Sequence, residues 1–447
     1  MGVYKSGRYR NSALVHAGSV GWLWLGPVWL KAMRPEPDRI NDFYQDWGSA
    51  QNYRIGLPIY THHATSVPRH LGLPSNPVPS IEYNAHPPTS VLLALPLAEF
   101  SYPNAVLVWN VISLVALCAS LKIVAGQLAS PRMLLLSAFA LTPFCHPIYG
   151  NIYQGQLTLI LVLLVTAVWA LERSGWSCTA GLLVGVAAAI KLFPAYLLVY
   201  YAARQRVRLL FAAVLAFLSL TMLTALVLGW GSYHDYINIV LDRQAKFRSF
   251  AYNLSIAGFW HKLFDPVAET GPVEPLWPNP ALARAGTILS DLAISVVVVI
   301  VTRRARTSAQ RDLAFASTVA AMLLVSPVTW DFSLPLLLVS IAVATDRISR
   351  SRSRWIVAAI IVILTIDWVP QNMLTELMQA GGSFSVFPWT FMLGAPSLKF
   401  YALVGTFLVS LVCFSGEDCQ NPRLDRLTDP ITNVPTHLLT SAVAKAS

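Results

Sequence analysis

Apolar stretches recur along almost the whole chain and constrain its fold more than any other feature of the sequence. Between Ala13 and Phe414, apolar runs of about 15 to 24 residues recur, and about 20 residues of helix cross the hydrocarbon core of a bilayer. Hydrophobic residues make up 55% of the chain and charged residues only 12%, so its surface cannot be wetted all round. The sequence therefore predicts an all-α polytopic membrane protein of about 10 to 12 transmembrane or half-crossing helices.

The first apolar run, from Ala13 to about Met33, follows a basic segment, as the core of a secretory signal peptide would. Its centre contains Trp22, Trp24 and Trp29, and no cleavage site of small residues follows it. We therefore expect this run to form a helix that is retained in the membrane.

Basic residues indicate the orientation of the chain. They cluster in short loops between apolar runs, at residues 204–208, 303–311 and 347–354. Such loops stay on the cytoplasmic side. This topology explains the net charge of +10 without a nucleic acid partner. It places two polar stretches, at about 34–88 and 230–283, on the outer face of one multi-span domain, residues 1–414. Residues 415–447 are expected to form a disordered cytoplasmic tail.

The cysteines indicate neither disulfide bonds nor a metal site. The chain has five of them, and Cys118, Cys145 and Cys178 lie in or beside apolar runs with no metal-type spacing. No paired-carboxylate metal motif is present either. We therefore expect neither a cofactor nor a metal.

Three apolar stretches are interrupted by polar residues and prolines. The interruptions lie at residues 146–156, 191–194 and 326–335. Helical arms of about 11 to 15 residues cover only about 16 to 22 Å, so these hairpins are too short to cross fully. Broken helices are tolerated at membrane depth only where they face protein or a wet cavity. The sequence thus predicts a buried cavity, closed by spans at about 284–302, 355–370 and 398–414.

The first outer loop contains the densest group of acidic and aromatic residues. Asp42 and Asp46 are four residues apart, so on a helix they share a face, close to Tyr44 and Trp47. A carboxylate beside aromatic rings suits the removal of a proton from a sugar hydroxyl. An alternative of equal weight is that Asp42 only caps an interfacial helix. The loop also contains two further candidate binding residues, His62 and His63.

Cationic residues supply candidate anion contacts. In the second outer loop, Arg243, Lys246 and Arg248 could hold a phosphate, although an interfacial helix with snorkelling basic residues would have the same pattern. Lys191 and Asp331 lie deep in apolar runs, where ionisable residues mark functional sites or buried pairs.

In the order of these residues the chain resembles the family 87 glycosyltransferases of the GT-C superfamily. The family includes polyprenyl-phosphate-mannose-dependent α-1,2-mannosyltransferases of bacterial envelopes. The resemblance extends from about Asn41 to Ala344. It rests on a series of marks: Asp42 with Gly56 and Tyr60, His86-Pro-Pro88, Gly155-Gln156, Lys191-Leu-Phe-Pro194, Asn253-Leu-Ser255 with Gly258, and Ser326-Pro327 through Trp330-Asp331.

This resemblance implies a glycosyltransferase of the cell (inner) membrane with its active site on the periplasmic side. A hexose, mannose in the family, would pass with inversion from a polyprenyl phosphate to an envelope glycolipid or glycan. Asp42 matches the catalytic aspartate of the family by its spacing to Gly56, and Asp46 is the reserve candidate. The expected substrate-binding residues are Lys191, Arg243, Lys246, Arg248, Gln156, Asn253, Trp330, Asp331, His62 and His63.

Two positions depart from the pattern of the family. Leu254 replaces a usual glutamine, and Phe332 follows the Trp-Asp pair where the family usually has histidine. If that histidine contacts the donor phosphate, another cation must replace it here. The alternative class of protein is a multi-span transporter or lipid flippase, which would also have broken helices and charges at the midplane. Such proteins show internal repeats, and the two halves of this chain show no convincing similarity.

Overall fold

The computed structural model describes most of the chain as a helical bundle. The described residues are 2–36, 38–74, 82–128, 131–267, 273–350, 361–363, 366–370, 373 and 387–417. The predicted tail beyond residue 417 and half of the predicted span at 355–370 lie outside these residues. The helices are α1 Gly2–Met33, α2 Phe43–Arg54, α3 His63–Leu71, α4 Pro88–Ala94, α5 Tyr102–Gln127, α6 Pro131–Leu141, α7 His146–Gln154, α8 Thr158–Arg173, α9 Ser177–Ile190, α10 Leu197–Ala203, α11 Val207–Leu228, α12 Gly231–Asp235, α13 Leu241–Gln244, α14 Ile256–Phe264, α15 Pro280–Arg304, α16 Ser308–Val325, α17 Leu338–Arg350, α18 Trp389–Leu393 and α19 Leu398–Glu417.

Within the described residues, five helical stretches are long and apolar enough to cross a membrane. They are Asn11–Met33, Tyr102–Gln127, Val207–Leu228, Pro280–Arg304 and Trp389–Ser415. A sixth crossing is possible if α6 and α7, which are bent by 63°, form one span. Two strands, β1 Val273–Glu274 and β2 Phe387–Pro388, pair in parallel. The predicted fold class, an all-α polytopic membrane protein, is confirmed.

Two of the predicted interruptions, at 191–194 and 326–335, coincide with breaks between helices, whereas the first, at 146–156, is mostly the short helix α7, and the break before it lies at residues 142–145. A proline stands in each break, and proline removes a backbone donor and cannot continue a helix. The first break separates α6 from α7, the second separates α9 from α10 around Pro194, and the third separates α16 from α17 around Pro335. These breaks place the polar residues of three separate segments inside the bundle rather than along regular helix faces.

Helix α9 is short but is held tightly against the span α11. A Cβ atom at Gly181 would come within 2.3 Å of the carbonyl oxygen of Leu209, and one at Gly185 within 2.2 Å of that of Ala213. The two helices therefore run parallel with their backbones in contact, as in other membrane helices with small residues four apart. This packing fixes the position of Lys191, the residue that ends α9.

The two predicted outer loops meet at one end of the bundle. Arg243 forms an ion pair with Glu82, and the rings of Tyr60 and Tyr236 lie 6.1 Å apart. Two of the arginine-rich turns lie at the opposite end of α11, where Arg206 pairs with Glu172 at 3.2 Å and the carbonyl of Arg311 accepts from the hydroxyl of Tyr200 at 3.3 Å. The polar loops and these two arginine-rich turns thus face opposite sides of the bundle.

Candidate active site

Asp42 lies immediately before α2, but its side chain does not cap that helix. The backbone of Asp42 is helical and the side chain makes no capping hydrogen bond. Instead, the amide of Phe43 donates to Oδ1 of Asn41 at 3.2 Å, and the hydroxyl of Tyr102 donates to the same oxygen at 2.8 Å. Asn41 therefore anchors the start of the helix, which leaves the Asp42 carboxylate available for other contacts.

The Asp42 carboxylate is connected to Lys191 through Gln156. The side-chain amide of Gln156 donates to Oδ2 of Asp42, and its Oε1 accepts from Nζ of Lys191 at 3.4 Å. Both ends of the Gln156 amide are thus used, which fixes its orientation. No described residue donates a hydrogen bond to Oδ1 of Asp42, and this side chain is only partly buried. One carboxylate oxygen therefore remains free for a substrate.

Gly155 allows α7 to approach the start of α2. Its φ of +64° lies in the left-handed region, and a Cβ atom there would lie 2.7 Å from Cβ of Phe43. The indole of Trp109 donates to the carbonyl of Gly155 at 3.0 Å and stacks on the ring of Phe43 at 5.0 Å. These contacts place Gln156 beside Asp42, so the Gly-Gln mark and the acidic loop form one site.

The surroundings of Asp42 tune its basicity. Burial raises the pKa of its carboxyl group, and the charges of His86 and Lys191 with the Gln156 amide lower it without cancelling the effect of burial. The negative charge of Asp46 adds to the increase. A carboxylate with a raised pKa accepts a proton more readily, which is what general-base catalysis requires.

Asp46, in contrast, has no free oxygen. Its Oδ1 accepts from the hydroxyl of Ser90 at 2.6 Å and from the amide of Asn84 at 3.1 Å, and its Oδ2 lies 2.9 Å from Nδ1 of His86. Burial alone would raise the pKa of Asp46, but His86, Ser90 and Asn84 together hold it below its usual range. This group therefore suits positioning, and it fixes His86 near the site.

The other predicted residues of the first loop stabilise its path. Gly56 follows the end of α2 with a φ of +76°, and the hydroxyl of Tyr60 donates to the carbonyl of His86 at 2.7 Å. His62 caps α3 by accepting from the amide of Ala64 at 3.0 Å. His63 is buried, with its ring 5.5 Å from that of Tyr44. The structure places neither histidine in contact with Asp42.

Asn253 joins two loops that meet beside the third break. Its amide donates to the carbonyls of Arg248 and Pro327, both at 3.0 Å, and its Oδ1 accepts from the amides of Ser255 and Thr329. The side chain is fully buried. A contact between Asn253 and a substrate would require these bonds to break.

Trp330 and Asp331 occupy different surroundings. The ring of Trp330 is partly buried and lies 5.1 Å from that of Phe250. Oδ2 of Asp331 lies 3.0 Å from Nδ1 of His146 and 3.5 Å from Nζ of Lys399. Asp331 is therefore a member of a partly buried charge cluster that joins α7 to α19.

The predicted phosphate-binding cations separate into three groups. Lys191 belongs to the Asp42 site. Arg243 is already paired with Glu82, and its guanidinium lies 4.8 Å from the centre of the Tyr83 ring. Arg248 is exposed and lines a cavity of about 360 Å³. Lys246 is partly buried within the same segment as Arg248.

Several functional neighbours were missed from the sequence. Asn84 and Ser90 lie on either side of the His86-Pro-Pro88 motif. These two polar residues precede an apolar run, and that pattern could have identified them from the sequence. Lys262 is buried and donates to the carbonyls of Ala251 and Asn253, both at 3.2 Å. Lys399 lies in an apolar run, as Lys191 does, and the same rule would have identified it. Across the described ranges no three His, Cys, Asp or Glu side chains form a metal-binding group.

Comparisons with known proteins identify the family of the chain. The sequence profile of glycosyltransferase family 87 matches residues 84–327, which is more than half of the chain. The chain is 27% identical over 377 residues to the polyprenol-phosphate-mannose-dependent alpha-(1-2)-phosphatidylinositol mannoside mannosyltransferase of Mycobacterium tuberculosis, covering 80% of this chain and 78% of the relative. It is 27% identical over 405 residues to the protein of the same name from Mycolicibacterium smegmatis, covering 82% and 83%.

A third relative, the polyprenol-phosphate-mannose-dependent alpha-(1-2)-phosphatidylinositol pentamannoside mannosyltransferase of M. tuberculosis, is 24% identical over 251 residues and covers about half of each chain. No solved structure matches the chain. The family match decides between the two classes left open by the sequence, because it favours an enzyme over a transporter. The chain belongs to glycosyltransferase family 87 and is a multi-pass membrane glycosyltransferase.

Proposed function

We propose that this enzyme transfers mannose from a polyprenyl phosphate to a glycolipid acceptor with inversion, and that Asp42 is the general base. The observation that supports this assignment is the difference between the two carboxylates of the first loop. Asp42 keeps one oxygen free, whereas hydrogen-bond donors surround Asp46 on both oxygens. A general base needs a free oxygen and a raised pKa, and Asp42 has both.

In the proposed reaction, Oδ1 of Asp42 accepts the proton of an acceptor hydroxyl. The acceptor oxygen forms a bond to the anomeric carbon while the bond from that carbon to the phosphate oxygen breaks, so the lipid phosphate leaves with the electron pair. A single displacement of this kind inverts the anomeric centre. The Gln156 amide holds the carboxylate in place, and the cation of Lys191 stabilises the negative charge that develops nearby.

The names of the relatives support the donor and the acceptor class. Both relatives that align over about 80% of this chain are polyprenol-phosphate-mannose-dependent, and both act on a phosphatidylinositol mannoside. We extend a lipid-linked mannose donor and a glycolipid acceptor to this chain. A lipid-linked donor also fits a site between membrane spans, because such a donor reaches the site from the bilayer.

The test compares purified Asp42→Asn and Asp46→Asn with the wild-type enzyme, using polyprenyl-phosphate mannose and a phosphatidylinositol mannoside as probes. Asp42→Asn keeps the shape and removes the base, so we expect kcat to fall by about 10² to 10⁴ while donor affinity is retained. The matched control is Asp38→Asn, since Asp38 is an exposed carboxylate of the same loop.

For Asp46→Asn we expect a smaller loss of kcat together with a lower melting temperature. This substitution replaces an acceptor of three hydrogen bonds with an amide, which leaves donors unpaired. A wild-type rate for Asp42→Asn alongside an inactive, folded Asp46→Asn would transfer the role of base to Asp46.

We also propose that the Asp42 site lies on the periplasmic side of the cell (inner) membrane. The arginine-rich turns at the other end of α11 support this orientation. Single cysteines at exposed Thr65 and Ser174, in a background without native cysteines, test it with a membrane-impermeant reagent. We expect labelling of intact cells only at position 65. The opposite pattern would contradict the proposed orientation.

A further inference from the structure

A groove lies between α14, α15 and the segment that follows α16. It encloses about 360 Å³ and is lined in part by Arg248, His261, Arg284, Ile288 and Val325. Its two arginines come from distant parts of the chain, one from the turn before α14 and one from the first turns of α15. Both are exposed, and neither has an ion-pair partner among the described residues. Two unpaired guanidinium groups that line one groove form a site for an anion.

The shape of the groove is set by close packing between α14 and α15. A Cβ atom at Gly286 would come within 2.4 Å of the Trp260 ring, so only glycine allows this approach. The indole of Trp260 also donates to the hydroxyl of Ser290 at 3.0 Å. Gly286 stands between Arg284 and Ile288 on α15. This packing therefore holds the part of α15 that carries Arg284 against α14.

The groove borders the exposed apolar side of α15. Ile288 lines it and is 58% exposed, and the neighbouring Leu289 and Leu292 are 66% and 56% exposed. These residues lie on a span, Pro280–Arg304, whose apolar surface is suited to contact with acyl chains. Arg284 lies about 6 Å from the start of this helix along its axis, close to one end of the span, where arginine is common beside lipid headgroups.

The acidic residues near the groove do not neutralise it. Asp291 lies two turns beyond Arg284, about 10 Å deeper along α15. Asp265 lies 3.1 Å from Nδ1 of His261, and burial lowers the pKa of that histidine, so the pair contributes little positive charge. Among the described residues that line the groove, two are arginines near its mouth, and the one carboxylate, that of Asp291, lies deeper.

We infer that this groove binds the phosphate group of a membrane lipid, with the guanidinium groups of Arg248 and Arg284 on the phosphate and the lipid chain along Ile288 and Val325. Two lipids share this chemistry: the polyprenyl phosphate of the sugar donor and an anionic phospholipid of the bilayer. The first alternative rests on the proposed function, whereas the second does not.

The experiment measures lipid binding to the purified full-length protein in detergent by native mass spectrometry. The probes are undecaprenyl phosphate and dioleoylphosphatidylglycerol, titrated separately. Arg284→Gln and Arg248→Gln should each weaken binding by about tenfold or more, as expected for loss of a charge-assisted hydrogen bond. The control is Arg304→Gln, since Arg304 is an exposed arginine at the other end of α15.

The two probes identify the source of the lipid. Weaker binding of undecaprenyl phosphate alone would support a donor site, and weaker binding of both probes or of the phospholipid alone would support a general lipid-phosphate site. Unchanged binding of both lipids by both folded variants would overturn the inference. Mannose transfer by the wild-type enzyme is measured separately, so transfer without any effect of the variants on binding would refute this site and leave the proposed function intact.

Discussion

The contact between Lys191 and Gln156 predicts how the enzyme responds to pH. The cation lowers the pKa of Asp42, so replacing it with an uncharged methionine should raise that pKa. The side-chain amide of Gln156 lies between the Asp42 carboxylate and the Lys191 ammonium group, so the two charges are about 7 Å apart. At an effective dielectric constant of about 20, their interaction energy is about 2 kcal/mol. Because this interaction favours the ionised carboxylate, its loss in Lys191→Met should raise the pKa of Asp42.

The assay is kcat/KM for mannose transfer as a function of pH. A carboxylate base is active only when ionised, so activity is lost as pH falls through the pKa of Asp42. In Lys191→Met this acidic limb should move to higher pH, whereas Lys191→Arg should keep it near its wild-type position. Lys122→Met serves as control, since Lys122 is exposed on α5. An acidic limb that stays in place or moves to lower pH in Lys191→Met would refute the assignment of Asp42 as the titrating base.

Two further predictions concern stability. Gly155→Ala should lower both the melting temperature and the rate of transfer. The added Cβ atom would lie 2.7 Å from Phe43, and the backbone at this position is in the left-handed region, which alanine disfavours. A wild-type melting temperature would contradict this close approach. Burial lowers the pKa of Lys262 to about 7, so the folded state releases a proton that the unfolded state keeps up to about pH 10. The stability of the wild type relative to Lys262→Met should therefore rise between pH 7 and 10 in thermal unfolding in detergent, and a relative stability that stays constant over this interval would show that Lys262 remains charged in the folded state.

The fold could be predicted from the sequence where one local signal dominates. Apolar length identified the long spans, and the prolines at positions 194 and 335 identified the breaks, because proline acts on its own segment regardless of tertiary contacts. The number of helices that cross the membrane fully was harder to predict from the sequence. A short helix such as α9 is stabilised by the close approach of Gly185 to α11, and such packing is decided by two segments together.

The candidate site could be predicted from the sequence only in part, for the same reason. Asp42 and Gln156 were both selected as site residues, but nothing in the sequence indicated that they contact each other across 114 positions. Arg243 looked like a free anion contact, and its pairing with Glu82 has no local signature. In the sequence, Arg284 is only a charged residue near the start of a span. Its possible role in binding an anion becomes visible only in the structure, where it lines a groove together with Arg248.

The shortness of α9 has a consequence for the choice of acceptor. Helices α9 and α11 start at nearly the same level and run parallel, with 14 and 22 residues respectively. At 1.5 Å per residue, Lys191 stops roughly 12 Å short of the level where α11 ends. With Asp42 as the proposed base, the reacting hydroxyl would have to pass below the level where α11 ends to reach it. The sugar of a glycolipid is held near that depth by its lipid anchor. A free sugar would first have to leave bulk water, at a cost in solvation free energy.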